Sequence, residues 1–110
     1  MADFDNDGDL DIAVSSHNDD TIAWYENNGA TDPSFTAADI ATNADGAIWV
    51  FAADMDGDGD IDILSASQLD DGVNWHENNL SAYGDPSFSA TNIATSADWA
   101  RDVIAADLDS

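Results

Sequence analysis

Five aspartates, Asp54, Asp56, Asp58, Asp60 and Asp62, occupy alternate positions of one nine-residue stretch that also holds Gly57 and Gly59. Carboxylates this close repel: one contacting pair costs about 4 kcal/mol at an effective dielectric of ~20. The stretch therefore needs a cation among its acids, or it stays open. A compact loop that turns Asp54, Asp56, Asp58 and Asp62 inward is a cage of hard oxygens, which suits the six to eight oxygen ligands of Ca²⁺. Asp60 would add its main-chain carbonyl, and Gly59 would permit the bend. Mg²⁺ suits the cage less, because it retains its own waters in a rigid octahedron. The expected role of the ion is structural. The plain alternative is a solvated acidic turn.

The pattern occurs again in full. Asp3-Phe4-Asp5-Asn6-Asp7-Gly8-Asp9-Leu10-Asp11 has the same D-x-D-x-D-G-x-x-D spacing. It makes Asp3, Asp5, Asp7 and Asp11 carboxylate ligands and Asp9 a carbonyl ligand. A third copy begins at Asp107-Leu108-Asp109. With 24 acidic residues chance could supply one such loop, but hardly two within matched flanks.

Other residue types offer less. Glu26 and Glu77 are the only glutamates, but they sit at equivalent repeat positions and so do not face one bond as a glycosidase pair does. Each is expected to organise the loop after its strand, beside Asn27 or Asn78. His17 and His76 have no nucleophile or zinc partners at the usual spacings and read as surface or edge histidines. Trp24 and Trp75 recur once per repeat, which fits either a sugar-stacking platform or packing between repeats; packing is the expectation. Trp49, Trp99, Tyr25 and Tyr83 escape the strict repeat and are better ligand candidates. Arg101 is the only basic side chain, expected to pair with a nearby aspartate. No catalytic constellation is visible, and the chain is expected not to be an enzyme.

Composition narrows the partners. The net charge of −23 excludes nucleic-acid binding through basic contacts and argues against an anionic membrane surface. No apolar run is long enough for a membrane helix, so no membrane insertion is expected. There is no cysteine, and no signal peptide precedes the first loop; the chain was cut from a longer one, or export depends on another element. Hydrophobic residues at 44% and four tryptophans permit a core in a single domain of 110 residues.

The acidic loops are positioned by a repeat of 51 and then 53 residues, counted from Asp3 to Asp54 to Asp107. Ile22-Ala23-Trp24-Tyr25-Glu26-Asn27-Asn28 matches Val73-Asn74-Trp75-His76-Glu77-Asn78-Asn79, and Asp32-Pro33-Ser34-Phe35 matches Asp85-Pro86-Ser87-Phe88. In this register Trp99 falls opposite Gly46. The second repeat shows four short runs of strand character, 47–53, 61–67, 73–78 and 87–95, with a turn at Asp70-Asp71-Gly72 and no sustained helical period. The first supplies strands near 10–16, 21–27 and 34–42, and a last strand lies near 99–106. Four strands in about 50 residues, repeated, mark a β-propeller blade.

On these residues the chain resembles the FG-GAP/VCBS repeats of integrin-α-like propellers. The resemblance rests on the loops 3–11 and 54–62, on Asp11-Ile12-Ala13-Val14 and Asp62-Ile63-Leu64-Ser65, and on Trp24-Tyr25-Glu26-Asn27 and Trp75-His76-Glu77-Asn78. It covers nearly all of the chain. It implies an all-β fold of four-stranded antiparallel blades, an acidic loop that joins the first two strands of a blade and binds calcium, and an extracellular or cell-surface setting.

The expected organisation is one two-blade unit over 1–110: repeat 1 about 1–46, repeat 2 about 47–98, and a C-terminal strand, 99–110, that completes the N-terminal blade of a neighbouring copy. Two blades cannot close a ring. Head-to-tail self-assembly of three copies, favoured over four, would do so. Either the first few or the last few residues should then be frayed, because both repeat the start of one loop. The expected function is a non-enzymatic binding or adhesion module with carbohydrate as a candidate ligand. The alternative is a purely structural fragment or minimal version of a larger propeller, with no ligand but calcium.

Overall fold

The computed structural model describes residues 1–80 and 86–106. Seven strands and no helix are found among them: β1 (Ile12–Ser16), β2 (Thr21–Asn27), β3 (Phe35–Ala41), β4 (Ala47–Ala53), β5 (Asp62–Ser67), β6 (Gly72–Asn78) and β7 (Phe88–Ala94). They form two antiparallel sheets, one of three strands ordered β1-β2-β3 and one of four ordered β4-β5-β6-β7. Every strand pairs with its neighbour in sequence, as short connections favour.

The two sheets repeat one another in register. Ala13 lies opposite Trp24, and Leu64 opposite Trp75. The pairings of β2 with β3 and of β6 with β7 slip at matched places, between Ile22 and Ala23 and between Val73 and Asn74. The tight turns before β2 and β6 place Asp20 and Asp71 in the left-handed region, with φ of 54° and 53°. Aspartate tolerates that region better than most residues.

The core lies where the sheets face each other. Phe4, Ile22, Trp24, Ala44, Ala47 and Ile63 are buried together, with Val50, Ala52 and Phe88 packed against them. Alternation along β4 turns Val50 and Ala52 to this core, while Trp49 is 42% exposed. Trp24 is buried, in line with packing rather than display. Trp75 is half-buried.

Two expectations change. Residues 99–106 do not form a strand; a strand needs a neighbour for its backbone groups, and none lies beside them among the described residues. The first residues are not frayed, because Ala2 pairs with Asp11; the last few, the other arm of that expectation, lie outside the described residues. His76 is no surface histidine: it is 2% exposed on an interior strand. His17 is exposed as expected. The stretch holding Tyr83, and the loop copy at Asp107-Leu108-Asp109, lie outside the described residues.

Candidate metal centre

Each acidic loop connects the place of a first strand to a second strand. The alternate spacing of the acids turns out to serve the backbone. An aspartate carboxylate readily accepts the main-chain N–H two residues on. Asp5 accepts from Asp7 N–H at 3.2 Å and Asp7 from Asp9 N–H at 2.9 Å. In the second loop Asp56 accepts from Asp58 N–H at 3.2 Å and Asp58 from Asp60 N–H at 2.9 Å. Asp3 spans its loop by accepting from Asp7 N–H and Gly8 N–H, and Asp54 by accepting from Gly57 N–H and Gly59 N–H. Gly8 and Gly59 both have φ of 98°, a conformation that a Cβ disfavours.

The last acid of each motif is buried and clamped. Asp11 accepts from Phe4 N–H at 3.1 Å and Asn27 N–H at 2.9 Å. Asp62 accepts from Met55 N–H at 2.9 Å and Asn78 N–H at 2.8 Å. These carboxylates tie the start of each loop to the end of the strand that follows the next turn.

The loops bring together one oxygen each from Asp3, Asp5 and Asp11, and one each from Asp54, Asp56 and Asp58, all within 4.8 Å of one another in each set. Two oxygens at about 2.4 Å from one ion are at most about 4.8 Å apart, so the spacing of either trio is within the reach of one calcium. Asp7 falls outside the first trio and Asp62 outside the second. Asp60 turns its carboxylate to Asn6, whose Nδ2 donates to Oδ1 at 3.0 Å, so that its side chain is engaged with the other loop. The Asp9 side chain lies against Gly29.

The crowding shows in the acidities. The Asp5 carboxyl is pushed up to about 6, first by burial and then by the charges of Asp7, Asp11 and Glu26, against the opposing pull of the Asp7 N–H. Asp56, at the matched position, is also raised, first by desolvation and then by Asp58 and Asp62, against the Asp58 N–H. A divalent cation would remove this penalty.

Three contributors escaped the sequence reading. Among the described residues neither Glu26 nor Glu77 makes a side-chain hydrogen bond; the loop is held instead by the next residue. Asn27 Nδ2 donates to the Leu10 carbonyl at 3.1 Å, and Asn78 Nδ2 to the Ile61 carbonyl at 3.1 Å. An amide can donate where a carboxylate only accepts. The repetition of Asn27 at Asn78 was the signal. Phe4 is the second: it is fully buried and meets Phe88 edge to face, with ring centroids 6.3 Å apart. Asn78 Nδ2 also reaches the Phe4 carbonyl at 2.8 Å, so the first loop is seated on the second sheet. The third is the buried contact between Ser65 Oγ and His76 Nε2 at 2.9 Å; burial lowers the His76 pKa and favours its neutral form. Its repeat equivalents are Val14 and Tyr25, so spacing gave no sign of it.

Paired antiparallel sheets, with an acidic loop at the same place in each repeat, define a repeat module. The sequence profile of the FG-GAP-like repeat matches residues 3–65, and the chain belongs to that family. The match points to a β-propeller-type module. Among curated proteins and solved structures nothing matches.

Proposed function

We propose that this chain is a calcium-stabilised, non-enzymatic binding module built of β-propeller blades and acting outside the cell. The observation that carries the reading is that both loops, on matching backbone ladders, gather three carboxylates, Asp3, Asp5 and Asp11 in one and Asp54, Asp56 and Asp58 in the other, with the first two of each at equivalent positions. Asp7 and Asp62, with the carbonyls of Asp9 and Asp60, would complete the oxygen sets. The ion would supply charge cancellation and a fixed turn, and no reaction passes through it.

Carbohydrate is the ligand class proposed for the module. Trp49 is 42% exposed on β4, beside the register shift between Ala47 and Trp49, and would offer its ring to a pyranose. Titration calorimetry with Ca²⁺ alone should give two sites per chain. A glycan array should give signals that fall by about tenfold or more in Trp49→Ala, the size expected for truncating an anchoring aromatic. Two calcium sites with a blank array would leave the purely structural reading, which the seating of Phe4 and Asn78 also favours. No calcium heat at all would overturn the proposal.

A further inference from the structure

We propose that the free edge of β1 receives residues 100–105 of a second copy of this chain, which add to the three-stranded sheet as its fourth strand. The inference does not rest on the calcium reading. It gives register and limits to the head-to-tail contact expected from the strand count.

The four-stranded sheet shows the completed arrangement. β4 lies on β5 with Val50 opposite Ser65, Phe51 opposite Leu64 and Ala52 opposite Ile63. Repeat matching sets β1 in the place of β5 and residues 100–106 in the place of β4. The transferred register puts Val103 opposite Val14, Ile104 opposite Ala13 and Ala105 opposite Ile12. Burial measures what is missing. Every residue of β5 is buried and none of β1 is. Val14 is 37% exposed where its equivalent Ser65 is fully buried, and Ile104 is 68% exposed. An open strand edge with apolar flanks is a template for a further strand.

The donor segment leaves the second sheet along a path already used once. Before β4, Ala44 N–H donates to the Asp20 carbonyl at 2.9 Å, Gly46 N–H to the Asp20 carboxylate at 2.9 Å and Ala47 N–H to the Ala44 carbonyl at 2.9 Å. After β7, Ala97 N–H donates to the Asp71 carbonyl at 3.0 Å, Trp99 N–H to the Asp71 carboxylate at 3.1 Å and Ala100 N–H to the Ala97 carbonyl at 2.9 Å. Gly46 and Trp99 share the left-handed region, with φ of 69° and 57°. The chain is thus turned as if to enter a first strand.

The turn also has a matching seat. Gln68 N–H and Leu69 N–H donate to the Gly46 and Asp45 carbonyls at 3.0 and 3.2 Å. The same step between copies sets the Trp99 and Asp98 carbonyls against His17 N–H and Asn18 N–H. Side-chain size sets a demand at this seat. A Cβ on Gly46 would lie 2.6 Å from Leu69 Cγ, which leaves no room for a side chain there. Trp99 occupies the equivalent place, so Asn18, which would face it, must turn its side chain aside to seat the ring. The other end sets a limit. Ala2 already fills the last rung, with Ala2 N–H donating to the Asp11 carbonyl at 3.2 Å and Asp11 N–H to the Ala2 carbonyl at 2.8 Å. The incoming strand stops at Ala105, Ala106 turns aside, and the receiving loop keeps its own Asp3 and Asp5.

The test uses the 110-residue chain, which has no cysteine of its own. Val14→Cys and Val103→Cys together should give a ladder of disulfide-linked chains on mild oxidation, in calcium and in EDTA alike. Moving the second cysteine to Ala105→Cys makes the pair diagonal and should lower the yield by about tenfold, because opposite Cβ atoms are about 5 Å apart and diagonal neighbours about 7–8 Å. Light scattering should read a multiple of the 11.6 kDa chain mass, with three chains expected. Asn18→Leu should weaken this assembly, and Trp99→Gly on that background should restore it. A folded monomer, a disulfide formed within one chain, equal yields from the two cysteine pairs or indifference to Asn18→Leu would each overturn the proposal. Intact cross-linking without calcium binding would sink only the calcium reading.

Discussion

The calcium-loaded chain is expected to melt on the order of 20 °C above the same chain in EDTA. A ligand present at a hundredfold its dissociation constant stabilises by about 2.7 kcal/mol, so two sites contribute about 5 kcal/mol. Each kcal/mol moves the midpoint of a domain this size by about 4 °C. The sign of the pH dependence separates the two states. Without the ion, the folded chain holds the Asp5 proton up to about pH 6, whereas the unfolded chain loses it near 3.8. A carboxyl raised in the folded state contributes stability that is complete below the unfolded value and is lost as pH rises through the folded one. The ion-free chain should therefore weaken between pH 4 and 6, about the window set by these two values. Calcium needs the deprotonated acid, so the gap between the loaded and ion-free melting curves should widen over the same range. Equal melting in calcium and EDTA at pH 7 would refute this account.

Asp62→Ala should cost about 4 kcal/mol even in EDTA, because it strips the acceptor from two main-chain donors at about 1–3 kcal/mol each. Those donors are Met55 N–H and Asn78 N–H, and Asp62 itself is 1% exposed. Asp58→Ala offers the contrast. Its carboxylate accepts only from the exposed Asp60 N–H and belongs to the second trio, so its loss should matter chiefly when calcium is present. Urea unfolding of both variants, with and without the ion, reads the difference. If Asp62→Ala were harmless in EDTA, the clamp would not be a fold element.

The contrast shows how far spacing could be read. The loop positions, strand order and repeat register were legible because each rests on local rules: alternating acids, apolar runs and turn residues within a few positions of one another. Within the loop, spacing treated Asp58 and Asp62 alike. Burial by the following strand separates them, and that depends on a hairpin closing 16 residues away, at Asn78. Phe4 was unreadable for the same reason. Its motif position is held by Met55 in the other loop, which is 41% exposed, so only the neighbouring sheet makes Phe4 a core residue. Residues 99–106 have strand composition, but composition supplies no partner.

The contact from Asn6 Nδ2 to Asp60 Oδ1 joins one loop to the next. Asp60 is also the residue whose carbonyl is assigned to the second cage, so settling either turn restrains its neighbour. Groups that share such a restraint do not act additively. Two such cages would then be coupled, so that filling one would change the affinity of the other.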